Sequence, residues 1–592
     1  MNAEMYVSYG IELVNKGALE QARQYFDRAL ELRPDYPEAY NSLGVVFIRS
    51  NQPDEAEKCL RYAIKLKAEY PEAYNNLGVL LKGTNRVDEA GDCLRRAVGL
   101  RPDYPEGYVN LGEVYRIKDQ PAEAEDCFRQ AIRLNPDCPE AYNSLGLTKV
   151  GARLPDEAAS LFRHAIGLKF DYPEAYHNLG SVLSELGRLV EAEDCLRQAI
   201  AFRSDFPEAY NSLGLVCKKT NRLEQAESYF RRSIGLRPDY PQAWVNLAMV
   251  LQDTCRLDEA EGCLRRVIKL CPGFPEADFA LGILSLLRGQ YDEWWGKYEL
   301  RCRVLGYRRP DIRPWQGEDL TGRKILLFHE QGYGDTLQFA RYAGKVAALA
   351  AKAVLWVPGP LVRLLSTLAA GLTVVSGDTI RPEEYDFACP LPSLPFVFRT
   401  SRATIPRDIP YLQPDGEASA RWRDILAKPD GGGCRVGVVW AGNPEHKNDY
   451  NRSIPFALFS RLFQLSGVDW VSLQTGPQAE ELKTAGGMVM DCSSRLVDFA
   501  ETAASIDNLD LIITVDTATA HLAGAMGKNT WVLLPFAPDW RWQLETEDSL
   551  WYPTIRLFRQ RKIGDWQEVL ARVEEAVRVE SSETGRKKTS NR

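Results

Sequence analysis

No run of about 20 apolar residues occurs anywhere in these 592 residues. The most apolar stretch, KVAALAAKAVLWVPG, is cut by Lys352 and Pro358, and the opening MNAEMYVSYGIELVNKG lacks a charged segment followed by an apolar one. Neither a membrane-spanning helix nor a secretory leader is expected, and the chain reads as cytoplasmic. A basic excess is also missing: 73 Lys and Arg stand against 81 Asp and Glu, a formal charge of -8. That balance argues against a nucleic-acid footprint, while leaving room for a local basic pocket. There are thirteen cysteines but no CxxC and no Cys/His group at zinc-ligand spacing, so no metal is expected. Cys59, Cys93, Cys127, Cys195 and Cys263 stand at multiples of 34 from one another, one repeat position filled by a small buried residue.

The period of 34 is the dominant feature of the first half. PEAYNSLG begins at Pro37 and returns, with small changes, at Pro71, Pro105, Pro139, Pro173, Pro207, Pro241 and Pro275. Within a unit, Tyr40, Leu43 and Gly44 mark one helix; Ala56, Leu60 and Ala63 mark a second at i, i+4 and i+7. Small residues at Gly44 and Ala56 let the two helices approach, and a proline such as Pro102 ends the second. This matches the tetratricopeptide pattern, and residues 1–288 are expected to form an all-α solenoid whose units bury their apolar stripes by stacking. Ser42, Asn76, Asn110, Ser144, Asn178, Ser212 and Asn246 form a polar row just before the recurrent leucine. The array resembles that of the O-linked N-acetylglucosamine transferases, in which an asparagine ladder at this position holds a peptide backbone. The resemblance implies a protein or peptide partner bound by Asn76, Asn110, Asn178 and Asn246 on the concave face; the other reading is a solvated polar face, and three serines interrupt the ladder.

After Gly289 the signature gives way to a Trp-, Arg- and Pro-rich segment, 289–321, expected as a capping helix and an extended linker. From Gly322 the pattern changes to apolar runs alternating with helical ones: ILLFHE, AVLWVPG and LTVVSGD, then, after a Pro-rich break, RVGVVWAG, DWVSLQT, MVMDC, DLIITVD and TWVLLPF. Such alternation predicts parallel sheets covered on both faces, in two α/β domains spanning 322–415 and 430–578, with a disordered polar tail at 579–592. Ligands of open parallel sheets sit beyond the carboxyl ends of the strands. Two loops there are chemically unusual. HEQGYGDT carries Gly332, Gly334 and Asp335, and TVDTATAH places Asp516 and Thr517 between a strand and the helix bearing His521.

The motifs WWGKYELR, EQGYGDTLQFARY, RVGVVWAGNPEHKNDYNRSIP, VDTATAHLAGAMG and PDWRWQLETEDSLWYPTIRLFRQ, followed by GDW, give residues from about 289 to 577 a further resemblance. They resemble the glycosyltransferase domain that follows tetratricopeptide arrays in many bacterial proteins, a relative of the family 9 transferases that include the heptosyltransferases. Departures are modest: Tyr333, Leu550 and Asn529 replace other residues, and no proposed functional group is lost. The resemblance implies a GT-B architecture of two Rossmann-like domains, an acceptor side and a donor side, with a nucleotide-diphosphate sugar as donor substrate and neither metal nor cofactor. The acceptor is left open between a protein side chain and a glycan. The rival reading is a non-catalytic scaffold with a degenerate transferase-like domain, because fold alone does not establish activity.

The resemblance further implies that Asp335 is the base for the acceptor hydroxyl, since heptosyltransferases place their catalytic aspartate in the matching loop; the alternative is a helix-capping aspartate. Gly332 and Gly334 would admit the donor close to the backbone. A basic residue from the loop after RVGVVWAG would face the leaving diphosphate, with Arg452 favoured for its planar fork and Lys447 its rival, His446 lying in the same loop; solvated loop charges are the other reading. The helix start at Asp516, Thr517 and Thr519 would supply N–H and hydroxyl donors to the diphosphate, with Asp516 orienting the turn or a ribose hydroxyl. His521, one turn on, would donate to phosphate or serve the fold. Glu480 or its neighbour Glu481 would read ribose hydroxyls, and Trp540 and Trp542 would line a pocket or cover the sheet.

Overall fold

The computed structural model describes the chain except Glu293, Asp378, Thr379, residues 428–432, Lys447 and residues 591–592, and describes no side chain from 582 onward. The chain divides into two compact units, Met1–Tyr240 and Pro241–Arg592. The first is built from seven pairs of antiparallel helices, from Ala3–Asn15 with Leu19–Leu32 to Pro207–Lys219 with Leu223–Leu236. Six of the seven first helices begin with a proline at the first helical positions, where its missing N–H would have had no intrahelical partner anyway.

Two positions carry the period. The turn inside each pair holds one residue in the left-handed region, at Gly17, Asn51, Asn85, Asp119, Arg153, Gly187 and Asn221, 34 residues apart. Gly, Asn and Asp accept that conformation readily, which is why they fill all but one of these places. The recurrent glycine does the second job. A Cβ at Gly10, Gly44, Gly78, Gly112, Gly146, Gly180 or Gly214 would stand 2.5–2.7 Å from a Leu or Phe of the following helix. Gly112→Ala is therefore expected to lose about 1–3 kcal/mol by overpacking against Phe128, seen as an earlier urea transition in helical circular dichroism; an unchanged transition would show that the helices can part at no cost.

The polar row also joins neighbouring units. Asn76 Nδ2 donates to Asn41 Oδ1, Asn110 to Asn75, and Asn178 to Asn143, each at 2.9 Å across 35 residues. His177 and Ser212 share a bond of 3.0 Å in the same place. The row thus spends an amide donor of each of these asparagines on the preceding unit, and it ties neighbouring units together. Asn246 lies on the helix Pro241–Asp253 of the second unit. A second tie sits where several pairs end: Lys67 bonds Glu38 and lies over Tyr70, and Arg203 bonds Glu174 and lies over Phe206.

The second unit begins inside the repeat pattern. Helices Pro241–Asp253, Leu257–Leu270 and Pro275–Leu287 continue it, with left-handed turns at Cys255 and Gly289. Two parallel sheets follow. The first holds β1 (Lys324–Phe328), β2 (Lys352–Trp356), β3 (Leu372–Val375) and β4 (Phe387–Pro390) in the order β3-β2-β1-β4. The second holds β5 (Cys434–Val439), β6 (Val468–Ser472), β7 (Val489–Asp491), β8 (Leu511–Val515), β9 (Thr530–Leu534) and β10 (Ile555–Arg559) in the order β10-β9-β8-β5-β6-β7. Counted within its own sheet, the second order is the 3-2-1-4-5-6 of the Rossmann arrangement, and the first is its 3-2-1-4 portion. Strands β8 and β9 are buried at every residue, as central parallel strands covered on both faces must be. One buried core runs under both sheets, from Leu327 and Phe339 to Ile512, Ala520 and Leu534.

Two expectations need correction. Strands β4 and β10 were not among the predicted runs; both are edge strands, one a tetrapeptide ending in Pro390 and the other interrupted by Arg556. The segment 289–321, expected as a capping helix and an extended linker, has two short helices and then runs without helix to β1. Its short helices Trp295–Tyr298 and Arg301–Leu305 are packed into the unit, Trp295 Nε1 donating to Thr400 O at 2.7 Å. The tail also differs: the last helix, Trp566–Ser590, anchored by Val569, Val573 and Val577, carries its backbone through most of 579–592.

Candidate functional site

The site starts at the carboxyl end of β1. The chain leaves the strand through His329, Glu330 and Gln331 and enters the helix Tyr333–Phe339 with Gly332 as its N-cap. Asp335, at the third helical position, accepts from the Gly332 amide through Oδ2 at 3.1 Å, so it does cap this helix. Its other oxygen faces out of the helix and is bound by Arg541 Nη2. Burial pushes the Asp335 carboxyl above the usual range, Asp539 adding to the shift and Arg541 opposing it.

Arg541 is the residue sequence reading passed over; it lies between the two tryptophans of PDWRW. It sits in the turn Trp540–Trp542 after β9 and is itself buried. Its Nε donates to Gln338 Oε1 at 2.5 Å, Nη1 to Asp539 Oδ1 at 2.8 Å, and Nη2 to Asp335. Two of these three acceptors belong to the helix after β1, so one guanidinium joins the two sheets' loops. The only sequence signal was an arginine beside two large rings, a place where a planar cation stacks well; its carbon lies 4.5 Å from the centroid of the Trp540 ring.

The loops after β5 and β8 bring the other groups. Arg452 donates through Nη1 to the carbonyl of Asp516 at 3.1 Å and through Nε to Asp449 at 3.2 Å. Gly442 leaves room for it: a Cβ there would stand 2.4 Å from Asp449 Oδ1 and 2.6 Å from an Arg452 nitrogen. The Asp516 carboxyl is pushed up to about 6, chiefly by burial and then by Asp539, with Arg452 opposing. The Trp542 indole favours its charged form as well, although the buried Nε1 has no partner within hydrogen-bonding distance among the described residues. Thr517 is the N-cap of the helix Ala518–Ala525 and shares a hydroxyl bond of 3.0 Å with Thr514. The His446 ring feels Arg452, Asp449, Asp335 and Asp539, which places both sheets' loops around it; burial lowers its basicity.

His521 and Gly334 form the tight contact between the two loop-bearing helices. A Cβ at Gly334 would be 2.8 Å from His521 Cδ2. The expected close approach at this glycine is therefore made by protein, and Gly334 has no left-handed backbone to explain it. His521 is buried, stacks on Trp542 at 5.4 Å and shares a bond of 3.0 Å with Tyr552 Oη. Burial and three nearby arginines hold its pKa well below the ordinary value, so the ring is neutral at pH 7.

The structure thus brings together Asp335, Arg452, Asp516, Thr517 and His521, with Gly332 and Gly334 forming the loop beneath and Thr519 on the first turn of the second helix. It does not bring in Glu480, which is 70% exposed and paired with Lys483. Its neighbour Glu481 accepts instead from Trp440 Nε1 at 2.8 Å, just past the end of β5. Lys447 lies outside the described residues. Among the described residues no three or more His, Cys, Asp and Glu side chains are grouped as metal ligands, and no helix is long and apolar enough to cross a membrane.

Comparison with known proteins identifies the repeats. Residues 10–51, 46–105, 105–138, 171–239 and 219–278 match family models described as TPR repeat or tetratricopeptide repeat. The array is a tetratricopeptide-repeat array. Protein FlbA of Caulobacter vibrioides is 30% identical over 335 residues, a match covering 51% of this chain and 54% of that protein; the chain spans about half the length of the curated relative it matches. Among solved structures, the APC/C hetero-tetramer Cut9-Hcn1 shows 14% identity and a TM-score of 0.42, covering 47% of this chain and 55% of that one. YrrB, described as a TPR protein with an unusual peptide-binding site, shows 24% identity and a TM-score of 0.26 over 32% of this chain and 96% of its own.

Proposed function

We propose that the C-terminal half is a GT-B-type glycosyltransferase that works without a metal, moving a sugar from a nucleotide-diphosphate sugar to a protein or glycan acceptor, while the repeat array recruits a protein partner or substrate. The observation that carries this reading is the convergence of Asp335, Arg541, Arg452 and Asp516 at the carboxyl ends of β1, β9, β5 and β8. Strands β1 and β5 are the first strands of their sheets, and each adjoins the point where strand order reverses, where open parallel sheets bind ligands. In the transfer, the acceptor oxygen bonds to the anomeric carbon as Asp335 takes its proton. The carbon–oxygen bond to the diphosphate breaks, its electron pair leaving on phosphate beside Arg452 and the helix start at Thr517.

The supporting experiment is thermal unfolding followed by tryptophan emission, with ADP, GDP, UDP, CDP, dTDP and their common sugar conjugates. All thirteen tryptophans lie at or after Trp244, so the signal belongs to the second unit. A bound member at 100 times its Kd stabilises by about 2.7 kcal/mol. A flat response to every member counts against the transferase. One observation favours the second reading, a scaffold without turnover: Asp335 is already engaged by Arg541 and the Gly332 amide.

A further inference from the structure

That engagement points to how the site is used. Arg541 is anchored at Nε by Gln338, which is fully buried, while both Nη nitrogens face carboxylates that retain solvent contact: Asp335 with 22% of its side chain exposed and Asp539 with 37%. The outward Nη edge of a guanidinium is the one that grips a phosphate with two parallel bonds. Here it is occupied by two carboxylates belonging to the protein itself.

Charge counting decides what an arriving anion must do. Among the described residues, Asp335, Asp539 and Asp516 surround Arg541 and Arg452, with Asp449 paired to Arg452 as a fourth carboxylate, while the third arginine near His521, Arg341, is bonded to the Pro406 and Trp551 carbonyls. Like charges at contact distance repel strongly where water does not screen them. A diphosphate cannot simply be added beside these groups. It can enter by exchange, taking the Nη edge and turning one carboxylate away. Asp539 lies in Arg541's own turn, two residues off, and also accepts from the Arg541 amide at 3.0 Å, so both its bonds are to Arg541, whereas the second bond of Asp335 is to the Gly332 amide and survives release of the guanidinium. Asp335 is the partner bound from the opposite sheet's loop, and the one whose release has chemical use. One buried donor on the residue that anchors the guanidinium, Gln338 Nε2, has no partner among the described residues. A buried donor left unpaired is costly, and an oxyanion at this place would supply its acceptor.

We propose that Arg541 is a diphosphate ligand held closed on Asp335, and that a nucleoside diphosphate group binds by displacing Asp335 from it, so that the base is freed only when the donor is seated. The proposal rests on the transferase reading and adds an order to it, donor before acceptor. The order has a purpose: in an unloaded site Asp335 is not free to act on a hydroxyl.

The test is calorimetric titration of the full chain and its Asp335→Asn, Arg541→Lys and Arg541→Gln variants with ADP, GDP, UDP, CDP, dTDP and inorganic pyrophosphate. Asp335→Asn keeps the shape and an acceptor for the Gly332 amide, but removes the competing charge. The diphosphate that binds the native chain should bind this variant about tenfold tighter, and both Arg541 variants at least tenfold more weakly. Arg541→Lys keeps the charge, so an effect there is not a loss of folding, and tryptophan-detected melting checks that each variant is folded. Binding to the native chain that is unchanged or weakened in Asp335→Asn overturns the exchange and leaves the transferase reading standing. Absence of binding to the native chain by any of the six probes overturns both.

Discussion

Arg301→Met is expected to destabilise the second unit by about 3–5 kcal/mol, the usual consequence of removing one partner from a buried ion pair. Arg301 has no solvent exposure, and Glu330, which it binds through Nε at 2.7 Å and Nη2 at 2.6 Å, has a side chain only 1% exposed. The same guanidinium donates to Glu299 and to Ser393 Oγ, each at 2.6 Å. Without it Glu330, two residues before the N-cap of the Asp335 helix, keeps only the distant Arg309 Nε at 3.9 Å as a cationic neighbour. The measurement is urea unfolding followed by tryptophan emission, which reports this unit alone. Adding Glu330→Gln should restore part of the loss, because it removes that buried charge; a single-variant loss below about 1 kcal/mol would mean that the carboxylate finds water.

Asp335→Asn is expected to cut sugar transfer by about 10²- to 10⁴-fold at saturating donor, the typical contribution of a positioned base. The variant should do so while its affinity for the diphosphate rises. Those opposite signs separate a base from a residue that only caps its helix, since loss of a cap lowers stability by about 1 kcal/mol and leaves the chemistry in place. Full transfer activity in a folded Asp335→Asn chain would remove the residue from the reaction. The pH profile carries a second check. With its carboxyl raised by burial, Asp335 is competent above its own titration, so the rate should fall as acid protonates it.

How much of this was legible depended on whether the informative neighbour lay close in sequence. The 34-residue period announced the helical pairs, because the same glycine, proline and turn residue recur wherever two helices must cross and reverse. The destination of the Asn76 amide was not legible: it goes to Asn41, 35 residues earlier, a relation between units that a reading of one helix face does not examine. Buried runs such as LIITV and TWVLL gave their strands directly, whereas IRLFR carries arginines and FACP is four residues long, as edge strands commonly are. Asp335 was found from its glycine loop. Arg541, 206 residues away, was hidden among tryptophans, and its importance comes from the folding of one sheet's loops against the other's. His521 was found as a candidate, but its neutral state follows from burial against Trp542 and Tyr552, which spacing does not disclose.

The seam at residue 240 has an evolutionary reading. The helices Pro241–Asp253, Leu257–Leu270 and Pro275–Leu287 look like ordinary members of the array, yet they share a unit with the two sheets. Cys255 reaches the carbonyl of Phe536 and Gly289 is pressed against Gln543, two residues beyond Arg541. They are part of the body that carries Asp335. A gain or loss of upstream copies in steps of 34 residues would leave these contacts, and every partner of Asp335, as they are.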